Sequence, residues 1–338
     1  MDAKEKLELI KRNTEEIIGE EELKEILSKK KKPAVYLGTA ITGSPHIAYL
    51  TWALKLADFL RAGFEVKILL ADLHGALDNT PWEVLEKRYS YYEKIIPLLF
   101  ESLEVKTSSL KFVKGSEFQL SKDYFLDLMK LSTYVSVHDA TKAASEVVKL
   151  GDNPKLSGII YPLMHALDEE YLKVDVQYGG MDQRKIFVLA SEILPKIGYS
   201  KRINVMTPIL PGLVGKKMSS SVQGSKIDLL DSPDEIRRKI KNAECEEGNP
   251  DNGLLPFMKN IIFTIKIDKK EKLILNRPEK FGGNKSYKSY EELEKDFISK
   301  KLHPLDLKNI LAEELISLLK PIEKQRKLLE KLYKEAYS

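Results

Sequence analysis

The chain of 338 residues has a single cysteine, Cys245, which excludes an intramolecular disulfide framework and any multi-cysteine zinc site. It has no apolar run approaching the roughly 20 residues that a membrane-spanning helix needs, which excludes an integral membrane protein. With 18 glycines, 15 prolines and no low-complexity segment, it is neither collagenous nor disordered. Met1–Glu25 holds nine carboxylates and no apolar core, unlike a signal or transit peptide. With the lone cysteine, this leads us to expect a reduced, cytoplasmic compartment. What remains is an ordinary globular composition, 43% hydrophobic and 31% charged. The length suits about two domains and a core that needs no staples.

The net charge of +4 is unevenly spread. Residues 1–200 carry 27 Lys/Arg against 30 Asp/Glu, and residues 201–338 carry 28 against 21. The C-terminal excess suits an anionic partner such as nucleic acid, or solvated helices with interleaved Lys and Glu.

Leu7, Ile10, Thr14, Ile17 and Ile18 recur at helical spacing and predict an opening amphipathic helix. A second helix ends in Lys29, Lys30, Lys31 and Lys32, where cations suit exposed carbonyls, and Pro33 stops it. The pattern then alternates: strand 34–37, helix 47–62 ended by Gly63, a largely apolar strand 66–70, helix 82–103 and strand 111–113. Residues 121–150 read as two helices inserted without a strand. Helix 162–172, strand 174–178, helix 182–195 and strand 203–206 follow. This is the α/β pattern of a parallel sheet flanked by helices. Beyond Pro233 helical patterns dominate (234–242, 254–263, 290–299, 305–334), with one candidate strand at 272–275, so a boundary is expected near 225–232.

An open parallel sheet binds ligands at the carboxyl ends of its strands, where strand order reverses. Tyr36, Gly38, Gly43, Pro45 and His46 fall in the first such segment, and both glycines allow close backbone approach or positive φ. His46 is expected in the first turn of the next helix, where free N–H groups favour an anion; a capping histidine is the other reading. The second segment holds Lys216, Lys217, Met218, Ser219, Ser220 and Ser221. It suits a polyphosphate, or is a basic surface loop.

The stretch Tyr161-Pro162-Leu-Met-His165-Ala-Leu-Asp168 predicts a helix opening at Pro162, with Tyr161 at its cap. His165 and Asp168, three apart, share a face. A carboxylate in so apolar a helix needs a partner: a lysine, a backbone N–H or a substrate hydroxyl. Gly179, Gly180, Asp182 and Gln183 lie between a strand and a helix, where a ligand can meet the backbone and Asp182 can also cap the helix. Phe281, beside Gly282 and Gly283, is a poor core residue in basic surroundings and can stack on an unpaired base or anchor its loop. Asp306 can read a base edge or cap the helix after Pro304.

A histidine-bearing turn followed about 170 residues later by KKMSSS, in an α/β chain, resembles the two signatures of class I aminoacyl-tRNA synthetases. More narrowly, the chain resembles tyrosyl-tRNA synthetases of the archaeal and eukaryotic cytosolic type. The segments that carry this are TGSPHIAY, ILLADLHGALDN, GSEFQLSKDY, YPLMHALDEEYLKVDVQYGGMDQRKIF, GKKMSSS and RPEKFGGN…HPLDLKN, in family order over nearly the whole chain. The resemblance implies a Rossmann-type catalytic domain over 1–230, interrupted by the insertion near 121–150. It also implies a mainly helical anticodon-binding domain over 231–338 and a homodimer with its contact near 121–150. The implied reaction joins tyrosine to ATP, giving tyrosyl-adenylate and pyrophosphate, and moves the tyrosyl group to the 3′ adenosine of tRNA(Tyr).

The resemblance also assigns residues. His46 and Lys217 serve catalysis. Tyr36, Gln119, Tyr161, His165, Asp168 and Gln183 serve the tyrosine, with Asp168 and Tyr36 at its phenol and Gln183 at its amine. Gly38, His46, Gly180, Asp182, Lys217, Met218, Ser219 and Ser220 serve ATP, and Phe281 and Asp306 the first anticodon base. Mg²⁺ is expected with the polyphosphate, and no protein carboxylate cluster is assigned to a metal. Three departures stand out. The first motif reads His46-Ile-Ala-Tyr49, with one imidazole. The second reads Lys217-Met-Ser-Ser-Ser, where Lys216 is a candidate for the missing charge. His165 stands where the family usually has glutamine, and a neutral imidazole there is expected to accept from the substrate ammonium. The rival readings are a tryptophanyl-tRNA synthetase, a catalytically lapsed tRNA-binding or signalling protein, and a small-molecule nucleotidyltransferase. Tyr36 with Asp168 favours a phenol over an indole.

Overall fold

The computed structural model describes residues 1–213 and 226–337, so Lys216, Lys217, Met218, Ser219, Ser220 and Ser221 lie outside the described residues. Six strands form one sheet: β1 (Glu16–Ile18), β2 (Ala34–Ala40), β3 (Glu65–Ala71), β4 (Leu110–Lys114), β5 (Val176–Gly180) and β6 (Ile203–Thr207). Their order is β1-β6-β5-β2-β3-β4. Every pairing is parallel except that of edge strand β1, which runs antiparallel to β6. Val66, Ile68, Leu69 and Leu70 of β3 are all buried, as a central parallel strand covered on both faces requires. The α/β expectation therefore holds.

The strand order creates the site. The chain lays β2, β3 and β4 outward in one direction, then returns to place β5 on the opposite side of β2. Connections diverge between β2 and β5, leaving a crevice at their carboxyl ends. The crossover from β4 to β5 carries the inserted helices Lys122–Ser132 and Val137–Ala144. They pack on the helices Leu156–Tyr171 and Arg184–Ile193 around their own core, which includes Tyr124, Leu131, Ala140, Leu167 and Ile186.

Five local expectations change. The opening helix stops at Lys11, because Arg12 is extended and Asn13 is left-handed at φ 51°. Ile17 and Ile18 then pair with β6 instead of continuing the helix. The helix expected to open at Pro162 begins at Leu156 and carries the proline inside it, so Tyr161 is no cap. His46 precedes its helix, which starts at Tyr49, and lies in an antiparallel bridge with Asp228. Asp182 sits in a short 3₁₀ turn, and Gln183 holds the cap position of the next helix. Neither Gly38 nor Gly43 takes a positive φ.

Beyond Pro233 the helices Pro233–Lys241, Tyr290–Ile298, Pro304–Leu318 and Arg326–Tyr337 dominate. The candidate strand is present as β7 (Leu273–Leu275), paired with β8 (Lys285–Tyr287). β8 was not legible, because three residues are too few to show alternation. The apolar core under the sheet continues unbroken into these helices through residues such as Leu213, Ile236, Phe257, Ile261 and Leu311. Among the described residues no helix is long and apolar enough to cross a membrane.

A buried ionic network fastens the C-terminal part to the sheet. Arg12 donates to Asp58 through Nε at 2.8 Å and to Asp268 through Nη2 at 2.9 Å, and Arg61 reaches Asp268 at 2.6 Å. Lys55, 2% exposed, lies 3.6 Å from Asp58 and donates to the Ile10 carbonyl at 2.7 Å. Breaking such a network on one side strands the opposite charge in the interior. Asp58→Ala is expected to cost about 3–5 kcal/mol in equilibrium urea unfolding. A loss under about 1 kcal/mol would show these ions to be effectively solvated.

Candidate functional site

The crevice between β2 and β5 contains a cavity of about 190 Å³, lined by Tyr36, Gly38, Thr39, His74, Asp78, Tyr161, His165, Asp168 and Gln183 among others. It is smaller than the cavities that hold drug-sized ligands, which suits a compact metabolite. Six residues expected from sequence therefore share one pocket: Tyr36, Gly38, Tyr161, His165, Asp168 and Gln183.

Asp168 projects from the helix Leu156–Tyr171 and is 1% exposed. Its Oδ1 accepts from Gln119 Nε2 at 2.7 Å and from the Tyr124 hydroxyl at 2.9 Å. Both donors are neutral. The imidazole of His74 lies 3.6 Å from Oδ2, but burial pushes its pKa down to about 3, so it is no counter-ion. Among the described residues neither a lysine nor a backbone N–H serves this carboxyl. Burial raises its pKa to about 8, against the opposing pull of Gln119 and Tyr124. Gln119, expected to line the pocket, instead stands behind Asp168 and orients it.

Tyr36, on β2 and 1% exposed, presents its hydroxyl to the same cavity. Burial, and next the neighbouring Asp168, push its pKa well above the ordinary phenol value, so the hydroxyl keeps its proton. The hydroxyl accepts from Gln177 Nε2 at 2.7 Å, and its nearest protein acceptor is the His165 carbonyl at 3.4 Å. A carboxyl with one unfilled oxygen and a hydroxyl with an uncommitted proton thus face one space. A ligand O–H can donate to the first and accept from the second.

His165 is neutral, its pKa lowered to about 4 by burial. Its Nδ1 lies 3.1 Å from Gln177 Nε2 and its Nε2 3.2 Å from Gln183 Oε1. Both ring nitrogens are therefore engaged by protein groups. Gly179 allows this approach: a Cβ there would stand 2.9 Å from Gln183 Oε1. Tyr161 packs edge-on to His74 at 4.6 Å between ring centroids and feels the charge of Asp182. Gly180 and Asp182 lie just beyond, at the end of β5.

His46 is not among the residues lining that cavity and lies between β2 and the helix Tyr49–Arg61. Its segment is stitched to the chain beyond the second motif, with Ile47 N–H donating to the Ile227 carbonyl at 2.8 Å and Leu229 N–H to Pro45 at 3.2 Å. Burial, and then the charge of Lys226, lower the His46 pKa to about 4, and its Nδ1 is buried without a partner. A neutral imidazole beside a lysine and a helix N-terminus is an anion-compatible setting. Among the described residues no group of His, Cys, Asp and Glu is placed to hold a metal ion.

Phe281 is 64% exposed, with Lys280 Nζ 5.0 Å from its ring centroid. Gly282 follows in a left-handed conformation at φ 100°, where a Cβ would come within 2.8 Å of Arg277. Arg277 also pairs with Asp306 at 3.3 Å, tying the Phe281 loop to the start of the helix Pro304–Leu318. Asp306 is not the cap; His303 accepts from Leu305 N–H in that role.

Sequence reasoning assigned no role to His74, Tyr124, Gln177 or Lys226. Gln177 carried the clearest signal, an uncharged polar residue between Val176 and Tyr178 in a strand. The neutral, 1%-exposed His74 gives a pH prediction. Its folded pKa of about 3 lies below the ordinary 6.5, so between those values the unfolded chain binds a proton that the native state refuses. Stability is therefore lost as pH falls through that window. From pH 6 to pH 5 the wild type should lose about 1 kcal/mol more than His74→Asn in urea titrations. Parallel losses would show His74 to be protonated in the native state.

Comparison with known proteins agrees with this geometry. A family model described as tRNA synthetases class I (W and Y) matches residues 28–320. The chain is 52% identical to the cytoplasmic tyrosine–tRNA ligase of Danio rerio over 98% of its own length, but spans 63% of that relative. It is 48% identical to the cytoplasmic tyrosine–tRNA ligase of Saccharomyces cerevisiae, covering 96% of this chain and 85% of that one. The crystal structure of tyrosyl-tRNA synthetase from Archaeoglobus fulgidus complexed with L-tyrosine superposes with a TM-score of 0.89 at 42% identity, over 96% of this chain and 100% of that one. With its sheet, its crevice and this match over most of its length, the chain belongs to the class I tRNA synthetases of the tryptophan and tyrosine group.

Proposed function

We propose that the chain is a tyrosine–tRNA ligase. One observation carries the reading: Asp168 and Tyr36 line the same small cavity, and the donors to Asp168 among the described residues, Gln119 and Tyr124, are both neutral. A phenol completes that pair as both donor and acceptor. Phenylalanine would leave both groups unpaired, and a site built to hydrogen-bond a hydroxyl rejects such an analogue by roughly 10⁴–10⁵. At the other end of the substrate, Gln183 offers its amide oxygen to the ammonium, with Tyr161 beside it.

The tyrosine carboxylate attacks the α-phosphate of ATP, the bond to the β-phosphate oxygen breaks, and pyrophosphate leaves. No side-chain nucleophile is needed, so the protein contributes positioning and charge stabilisation. His46 donates to phosphate oxygens from its neutral ring. Gly38, Gly180 and Asp182 border the adenosine, and the segment of Lys217, Met218, Ser219 and Ser220 serves the polyphosphate. Mg²⁺ comes with ATP, held by phosphate oxygens. A ribose hydroxyl of the 3′ adenosine of tRNA(Tyr) then attacks the tyrosyl carbonyl, the bond to the phosphate oxygen breaks and AMP leaves, while Phe281 stacks on an anticodon base and Asp306, held by Arg277, accepts from its edge.

In this reading residues 1–230 form the catalytic domain, interrupted near 121–150, and residues 231–338 the anticodon-binding domain. Two copies associate through the insertion, where Leu120, Phe125, Leu126, Tyr134 and Val137 are exposed and apolar. The cytoplasmic location named for the relatives is the one proposed here.

The decisive assay is amino-acid-dependent exchange of pyrophosphate into ATP, followed by charging of total tRNA. Exchange with tyrosine but not tryptophan or phenylalanine is expected; exchange with tryptophan, or with neither, would overturn the reading. His46→Ala should lower the exchange rate by about 10²–10³ with the tyrosine KM unchanged, because its contribution grows in the transition state. Phe281→Ala should lower kcat/KM for tRNA by about 10-fold, at about 1–3 kcal/mol per stacked base, and leave exchange intact.

A further inference from the structure

Gln177 is fully buried on β5, directly across the ladder from Tyr36, and does not line the cavity. Its Nε2 lies 2.7 Å from the Tyr36 hydroxyl and 3.1 Å from His165 Nδ1. An amide NH₂ has two hydrogens and no lone pair, so both neighbours must accept from it. Gln177 Oε1 is left buried with no partner. Such an orphan carbonyl is costly, and the orientation is the one that spends both hydrogens on Tyr36 and His165.

Two consequences follow from this wiring. The Tyr36 oxygen is filled from behind, and its own hydrogen has a poor protein acceptor, the His165 carbonyl at 3.4 Å. That hydrogen is free for an oxygen in the cavity. His165 accepts at Nδ1, so its neutral ring carries the proton on Nε2 and donates to Gln183 Oε1 at 3.2 Å. Gln183 is thereby held with its carbonyl oxygen inward and one lone pair to spare. One amide out of reach of the ligand fixes a donor at one end of the cavity and an acceptor at the other. The opposite amide orientation would make Tyr36 donate backward, place the His165 proton on Nδ1 and turn Gln183 around.

We infer that Gln177 is a positioning residue that sets the hydrogen-bond polarity of the amino-acid pocket, through Tyr36 at the phenol end and through His165 and Gln183 at the amine end. This rests on the tyrosine reading, and it is tested by one measurement that needs no substrate and one that does. In ¹⁵N-histidine-labelled wild type, with His165 assigned by its loss in His165→Gln, long-range ¹H–¹⁵N spectra should show a neutral ring protonated on Nε2 from pH 6 to pH 8. A proton on Nδ1 would overturn the inference. The near-isosteric Gln177→Met should raise the tyrosine KM about 10-fold or more in pyrophosphate exchange, with the ATP KM unchanged and kcat within about two-fold. An unchanged tyrosine KM, or equal losses toward both substrates, would overturn it. Where Gln177→Met does not fold, the wild-type tautomer decides. Failure of the wild type to exchange with tyrosine would sink the functional reading, and the tautomer would still decide the wiring.

Discussion

A carboxyl buried without a cation constrains everything around it. Among the described residues Asp168 has no lysine, arginine or charged imidazole in contact, so its polar needs are met by neutral donors. Those donors come from distant parts of the chain. Gln119 follows β4 and Tyr124 opens the first inserted helix, while His74, which follows β3, lies 3.6 Å from Oδ2 and donates to neither oxygen. Convergence of three such segments on one helix residue is possible because the helix Leu156–Tyr171 crosses the carboxyl edge of the sheet where strand order reverses. The insertion is thus part of the site: its Tyr124 is both a member of the second apolar core and a ligand to the carboxyl. Two donors on Oδ1 and none on Oδ2 leave the group half satisfied, and the missing half is what a hydroxylated ligand supplies.

The segment around His46 follows a different logic. His46 belongs to a strand-like segment paired to residues 227–229, so the first motif and the chain just beyond the second are stitched together by backbone hydrogen bonds. Ser44 adds a contact to Asp228, which also pairs with Lys226 at 2.8 Å. The bridge keeps His46 and Lys226 near each other, and the imidazole stays neutral because a second positive charge in a poorly solvated place is unfavourable. A neutral ring still donates to an anion, without the cost of a buried charge while the site is empty.

Much of this was legible in the sequence for physical reasons. The largely apolar β3, broken only by Lys67 within 66–70, suits a strand covered on both faces, and an aspartate in an apolar helix announces a buried carboxyl. The resemblance implied that Tyr36, Tyr161, His165, Asp168 and Gln183 share one pocket. What escaped was three-dimensional bookkeeping. Periodicity extended the first helix through Ile17 and Ile18, because edge pairing with β6 is a non-local contact. The rule that proline opens a helix misplaced the start of 156–171, where neighbouring turns carry Pro162 through. The sequence placed His165 in the pocket, where it lies, but not the engagement of both its nitrogens by Gln177 and Gln183. Which lone pairs are already spent depends on neighbours that spacing alone does not supply.

The C-terminal part makes the same point at larger scale. Composition separated it from the sheet, yet the core runs through both and Arg12 and Arg61 clamp Asp268 to the helix Tyr49–Arg61. The last helix, Arg326–Tyr337, packs on Leu85–Ser102, and its Tyr337 hydroxyl donates to the Gly43 carbonyl at 3.0 Å. Arg88 lies 4.8 Å from the Tyr337 ring centroid and also holds the Thr42 carbonyl. Near the other end of that helix, Arg326 grips the Leu230 carbonyl at 2.8 Å, just past the bridge to His46. Both sides of the His46 segment therefore lean on a helix more than a hundred residues beyond the sheet. A charge count along the chain finds where an anion is welcome, but it cannot see that the basic half of the molecule also braces the loop that would receive it.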